Sequence, residues 1–148
     1  MRNNLFFLII FWVLLICSRF SFATEYIAEC QNLDYVFQKA DVVVSGEVIK
    51  VEAKRGTKGG LIFTDIDIKV THYFKGDGSG IITIKQFGGT LGDETISGGD
   101  FIRFTTGESG YLYLNKINSE FYENKFYGLV CGYGITDALP ANVPERNW

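Results

Sequence analysis

Leu61-Ile62-Phe63-Thr64-Asp65-Ile66-Asp67-Ile68-Lys69-Val70-Thr71-His72-Tyr73-Phe74 alternates apolar and polar side chains along most of its length. Successive side chains of a strand point to opposite faces, so this period of two predicts a strand with one buried and one solvated face. Ile62, Ile66, Ile68, Val70 and Phe74 fall on one face; Asp65, Asp67, Lys69 and Thr71 fall on the other. Upstream, the glycines of Lys54–Gly60 predict a turn. Before it, Asp41–Val51 is β-branched and alternates past Gly46, which predicts a strand bent at that glycine. Leu33, Val36, Phe37 and Ala40 recur at helical spacing and predict a helix of about two turns.

Downstream, Lys75–Gly80 ends the long strand and Ile81–Phe87 predicts another. Gly88–Asp100 holds five glycines and reads as a long loop. Phe101–Phe104 reads as short and extended, and Thr106–Gly110 as a turn. Tyr111–Leu114 reads as a strand whose hairpin partner is Phe126–Cys131, across Asn118-Ser119-Glu120. One short helix followed by five or six strands with glycine-marked turns predicts an all-β domain, best fitted by a small five-stranded closed barrel. The tail from Gly132 to Trp148 holds both prolines and reads as loosely ordered.

The N-terminus reads as a processing signal. Met1-Arg2-Asn3-Asn4 precedes an apolar run from Leu5 to Cys17, shorter than the ~20 residues a spanning helix needs. Ser21-Phe22-Ala23 places small side chains where a signal peptidase reads them, so cleavage is expected after Ala23. The competing readings are an uncleaved anchor running to Phe22, interrupted by Ser18-Arg19, and a lipoprotein at Cys17, where Ile16 stands in place of a small residue. Cleavage leaves one domain at residues 24–131 plus the tail at 132–148. It removes Arg2 and Arg19 but no acid, so the net charge moves from −3 to −5. An acidic domain does not suit nucleic acid and offers no polybasic handle for anionic lipid.

Cleavage also removes Cys17, leaving Cys30 and Cys131. Export and an even count predict a disulfide between them; two buried free thiols are the alternative. The loop so closed is about 100 residues, which a chain-entropy argument values at about 4–5 kcal/mol. Two distant cysteines are too few for a zinc cage.

No catalytic constellation emerges. His72 is the sole histidine and reads as a partly buried structural residue on the core face of the long strand. Asp65 and Asp67, about 7 Å apart along a strand, read as a solvated face before an acid pair. Asp93-Glu94 lacks the oxygen count calcium wants. Gly88-Gly89-Thr90-Leu91-Gly92 lacks the Lys–Ser/Thr ending and the following helix of a phosphate cradle. Of Tyr111, Tyr113, Phe121, Tyr122, Phe126 and Tyr127, alternation would bury half; the others could stack a sugar or a base, although cross-strand aromatic pairing is the plainer reading. The expectation is a binding domain with no catalytic residues, no cofactor and no metal.

Several segments in order resemble the N-terminal domain of tissue inhibitors of metalloproteinases, which shares its fold with the netrin-like domain. They are Cys30, Ala40-Asp41-Val42-Val43-Val44-Ser45-Gly46-Glu47-Val48, Val70-Thr71-His72-Tyr73-Phe74-Lys75-Gly76, Gly107-Glu108 before Tyr111–Leu114, and Leu129-Val130-Cys131. The resemblance spans residues 30–131 and includes secreted bacterial proteins of similar length. It implies an OB-type five-stranded barrel. In that family, a free N-terminal cysteine chelates the protease zinc and its thiol bonds a mid-chain cysteine. Here Thr24–Glu29 precede Cys30, and no cysteine lies between Gly76 and Gly110. The Cys30–Cys131 pair resembles the family's second bridge, so the resemblance implies the scaffold and not the zinc-chelating device.

The expected protein is therefore a secreted or periplasmic monomer that contacts a protein, a metalloprotease being one candidate. The alternative is an envelope or surface structural domain that binds glycan. The expected binding rim comprises Thr24, Glu29 and Gln31 of the N-terminal segment, Thr57 of the 54–60 turn, and Gly89, Thr90, Leu91, Asp93 and Glu94 of the long loop.

Overall fold

The structure, a computed structural model, describes residues 28–56, 60–97, 101–117, 126–132, 134–141 and 143. These fall into two units that divide between Asn32 and Leu33. In the first, Ala28–Cys30 form a helical turn, Gln31 N donates to Ala28 O (3.2 Å) and Asn32 N donates to Glu29 O (3.0 Å). Cys30 and Cys131 are disulfide-bonded. The expected signal segment, residues 1–23, lies outside the described residues. Among the described residues no helix is long and apolar enough to cross a membrane.

The second unit is mostly β-sheet with one short helix. Helix α1 spans Leu33–Lys39, with Asp34 in its first turn and Lys39 in its last, the signs that suit the helix dipole. Its last carbonyls lack partners within the helix; Lys75 Nζ donates to Phe37 O (2.9 Å) and Gln38 O (2.8 Å). The strands are β1 (Val42–Arg55), β2 (Ile62–Lys75), β3 (Ile81–Phe87), β4 (Gly89–Leu91), β5 (Glu94–Ile96), β6 (Ser109–Ile117) and β7 (Phe126–Leu129). Pairing runs β1-β2-β3-β7-β6, and β6 pairs in turn with β1. All these ladders are antiparallel except β3–β7, a parallel seam at Ile84↔Tyr127.

The inner face buries Val42, Val44, Val48, Ile66, Ile68, Ile84, Leu112 and Leu114, each 0–1% exposed. The outer face carries a second cluster: Val36 of α1 and Ala40 just after it lie over Val43, Tyr113 and Val130. That cluster explains Val42-Val43-Val44. An uninterrupted apolar run in a strand is what burial on both faces requires.

Several expectations are corrected. Strand β1 runs on through Lys54 and Arg55, which were expected in a turn, because Ala53–Arg55 pair with Ile62–Thr64. The stretch Gly88–Asp100 is not simply a loop but contains the β4–β5 hairpin; three-residue strands are too short to show alternation. Phe101–Phe104 forms no strand. Strand β6 begins at Ser109, within the expected turn. Strand β7 ends at Leu129, because Val130–Gly132 turns through Cys131 at φ 53.

The long strand also changes face. Its ladder with β1 slips between Ser45↔His72 and Gly46↔Val70, and again between Val44↔Tyr73 and Val43↔Lys75. Each slip is a bulge that inverts the alternation beyond it. Tyr73 therefore joins Val70 against the inner core, whereas Phe74 packs in the outer cluster. His72 is accordingly not on the core face. Its cross-strand neighbour Ser45 also faces Tyr111, and the His72 ring meets Phe74 edge-on at 4.6 Å between centroids.

The tail is docked in part. Tyr111 N donates to Thr136 O (2.8 Å), Thr136 N donates to Tyr111 O (3.1 Å), and Leu139 packs in the outer cluster.

Candidate functional site

The long β1–β2 ladder outruns β6. Pairing of β1 with β6 stops at Glu47, whereas pairing with β2 continues to Arg55. The inner side of this extension presents Ile62 and Thr64, and the β4–β5 hairpin sits over it. The chain leaves β3 through Gly88 (φ 102) and Gly89 (φ 134), a conformation that favours glycine. Gly88 N donates to Ile62 O (2.9 Å), and Thr64 Oγ1 donates to Gly88 O (2.8 Å). A Cβ on Gly89 would collide with Thr64 Oγ1 and lie 3.4 Å from Ala53 Cβ, so glycine is also required for close approach.

The hairpin itself pairs Gly89↔Ile96, Thr90↔Thr95 and Leu91↔Glu94. Its two-residue turn places Gly92 first, at φ 63, as tight hairpins of primed type require. Thr90 and Thr95 share a hydroxyl hydrogen bond of 3.0 Å. Arg55 ties the assembly together: Nη1 donates to Gly60 O (2.8 Å) and Nη2 to Glu94 Oε2 (2.7 Å). The guanidinium holds the Glu94 carboxyl below its ordinary range, and the carboxylate raises the guanidinium in return. Both groups are solvated, so this pair fixes position more than it adds stability.

Of the expected rim, Gly89, Thr90, Leu91, Asp93 and Glu94 therefore stand together on one hairpin. Glu29 and Gln31 are exposed in the first unit. Thr24 and Thr57 lie outside the described residues. Of the residues that seat the hairpin, Arg55 lies in the 54–60 segment expected at the rim, whereas Thr64 and Ala53 were missed by the sequence reading. The sequence signal available for them was the doubled glycine after β3, which marks a backbone pressed against something.

The outer face of β1–β3 is a set of rows. Lys54, Phe63 and Phe87 face one another, then Glu52, Asp65 and Lys85, then Lys50, Asp67 and Thr83. The Phe63 and Phe87 rings meet edge-on at 5.5 Å. Asp65 accepts from Lys54 Nζ (3.2 Å) and from Lys85 Nζ, and Asp67 accepts from Thr83 Oγ1 (2.7 Å). Both aspartates are thus engaged across strands rather than presented as a solvated pair. Glu52 accepts from Lys50 and Lys54, each at 2.8 Å, which lowers its carboxyl to about 2. Lys54 is raised by Glu52 and then by Asp65.

The C-terminal aromatics divide differently from the expectation. Tyr111 and Tyr113 both belong to the outer cluster, and Tyr113 is fully buried there. Tyr127 packs against the inner core, and Phe126 is buried with Lys85 Nζ 5.9 Å from its ring centroid. Phe121 and Tyr122 lie outside the described residues. Among the described residues, no group of three or more His, Cys, Asp or Glu is placed to hold a metal ion.

Compared with family models, curated proteins and solved structures, the chain matches none.

Proposed function

We propose that the chain is an exported, non-enzymatic binding domain on an OB-type barrel of the metalloproteinase-inhibitor and netrin-like kind, and that its β4–β5 hairpin contacts a protein partner. The five-strand circuit with a single parallel seam supports the OB-type reading, a five-stranded Greek-key barrel. The disulfide supports an oxidising compartment, secreted or periplasmic. The absence of catalytic residues is supported by the engagement of Asp65 with lysines and by the packing of His72 on Phe74. A metalloprotease is the first partner to test. The family's zinc chelation is not part of this reading, because Cys30 is internal and its peptide nitrogen is no free amine.

The single observation that carries the proposal is the hairpin. It is pinned at its base by Gly88, Gly89 and Thr64 and near its tip by Arg55 through Glu94, yet Thr90, Gly92, Asp93 and Thr95 are exposed. An exposed element that is already ordered spares a partner the entropy of fixing it. A second reading, a glycan-binding surface, is favoured by Phe87, which is 44% exposed beside Phe63 at the hairpin base.

The test is site-specific photo-crosslinking in producing cells. A photoreactive residue at Thr90 is expected to give a discrete protein adduct. The same residue at Asp77, in the β2–β3 turn at the far end of that ladder, is expected to give none. An adduct from Asp77 alone would move the site to the other rim. Glycan binding lost on Phe87→Ala, with no protein adduct at Thr90, would establish the second reading.

A further inference from the structure

Among the described residues, the same extension that seats the hairpin leaves a strand edge open. On the β6 side, β1 pairs through Glu47, and Val48 is satisfied by Glu108 O (2.9 Å) and Gly107 N (2.8 Å). From Ile49 onward, no strand among the described residues pairs with that side of β1. An edge left open in this way is a template for another strand. Edges guarded against pairing carry lysines or prolines and avoid exposed apolar side chains. This one carries Lys50 and Lys54 and a bulge at Ile49, but it has no proline, and it shows Ile49 and Val51 at 39% and 38% exposure. Its charges alternate in sign at every second residue: Lys50, Glu52, Lys54.

We infer that the Ile49–Ala53 edge of β1 pairs antiparallel with the same edge of a second copy, on a two-fold axis through Val51. The charges select this register. With the axis at Val51, Lys50 faces Glu52 of the other copy and Glu52 faces Lys50, while Val51 meets Val51. Moving the axis one residue to Glu52 sets Glu52 against Glu52 and Lys50 against Lys54, which like-charge repulsion disfavours. An isologous contact closes on itself and gives a dimer rather than a fibre. The paired segment is short, so the dimer is weak and concentration-dependent. This inference goes beyond the binding function proposed above and does not depend on it; the edge and the hairpin adjoin at Ala53, beside Gly89.

The test is sedimentation of the exported full-length product from about 1 µM to about 1 mM, with circular dichroism to verify folding. The wild type is expected to pass from monomer to dimer across this range. Lys50→Glu sets acid against acid at both symmetry-related contacts, and Glu52→Lys sets lysine against lysine. Each is expected to weaken self-association about tenfold or more. Val51→Lys, which opposes two ammonium groups on the axis, is expected to do the same. All three positions are exposed or half-exposed, so the fold should survive. The decisive variant is the double exchange Lys50→Glu with Glu52→Lys, which restores both contacts with the signs inverted and is expected to recover dimerisation. A protein that stays monomeric to about 1 mM would overturn the inference. So would a dimer indifferent to the single changes, or one that the double exchange fails to restore.

Discussion

Tyr113→Ala is expected to destabilise the domain by about 3–5 kcal/mol, the range for removing a large buried aromatic. Tyr113 is 0% exposed although it points away from the inner core. It is enclosed by Val43 beside it, by Val36 of α1 and Ala40 just after it, and by Val130. Its hydroxyl donates to Ala138 O at 2.9 Å, joining the tail to β6. Truncation leaves a cavity where helix, sheet and tail meet. Tyr113→Phe keeps the ring and loses the hydrogen bond to Ala138 O. Ala138 O also accepts from Thr136 Oγ1 (3.2 Å), so this change should cost only about 0.5–1 kcal/mol. Urea unfolding of both variants separates the terms. A cost below ~1 kcal/mol for Tyr113→Ala would show that α1 does not cover this face.

Loss of the disulfide is expected to be comparably severe. Replacing Cys30 and Cys131 by serine should cost about 2–5 kcal/mol, because the bridge closes a loop of about 100 residues and most of its effect is on the unfolded chain. Position 131 adds a local term. Cys131 sits at φ 53, in the left-handed region, where a side chain is strained and glycine is not. The variant carrying Cys30→Ser with Cys131→Gly should therefore retain more stability than the double serine, by about 1 kcal/mol. Thermal or urea unfolding of the two variants reads the difference. Equal stabilities would remove the strain argument, and a double serine as stable as the wild type would remove the entropic one.

The legible parts of the fold were those governed by one simple period. Ile66 and Ile68 alternate with Asp65, Asp67 and Lys69, and they are the inner-core wall of β2. Leu33, Val36, Phe37 and Ala40 gave α1 to within a residue. The period fails wherever the ladder slips. Nothing in Val70-Thr71-His72-Tyr73-Phe74 announces two bulges, so His72 was assigned to the wrong face. Val42-Val43-Val44 did carry a signal for its two buried faces, but what covers Val43 comes from α1, and only the tertiary structure brings it there. The hairpin residues Thr90, Leu91, Asp93 and Glu94 were picked for their place in a glycine-rich stretch. Their order depends on Arg55 and Thr64, which are distant in sequence.

The account rests on an exported domain in which Cys30 is internal and bonded to Cys131. Intact-mass analysis of the exported protein, without reductant, tests this most directly. The prediction is a chain that begins at Thr24 and is lighter than its reduced form by two hydrogens, with no thiol open to labelling. A chain that begins at Cys30, with a free α-amino group there, or one with two free thiols, would contradict it and return zinc chelation to consideration.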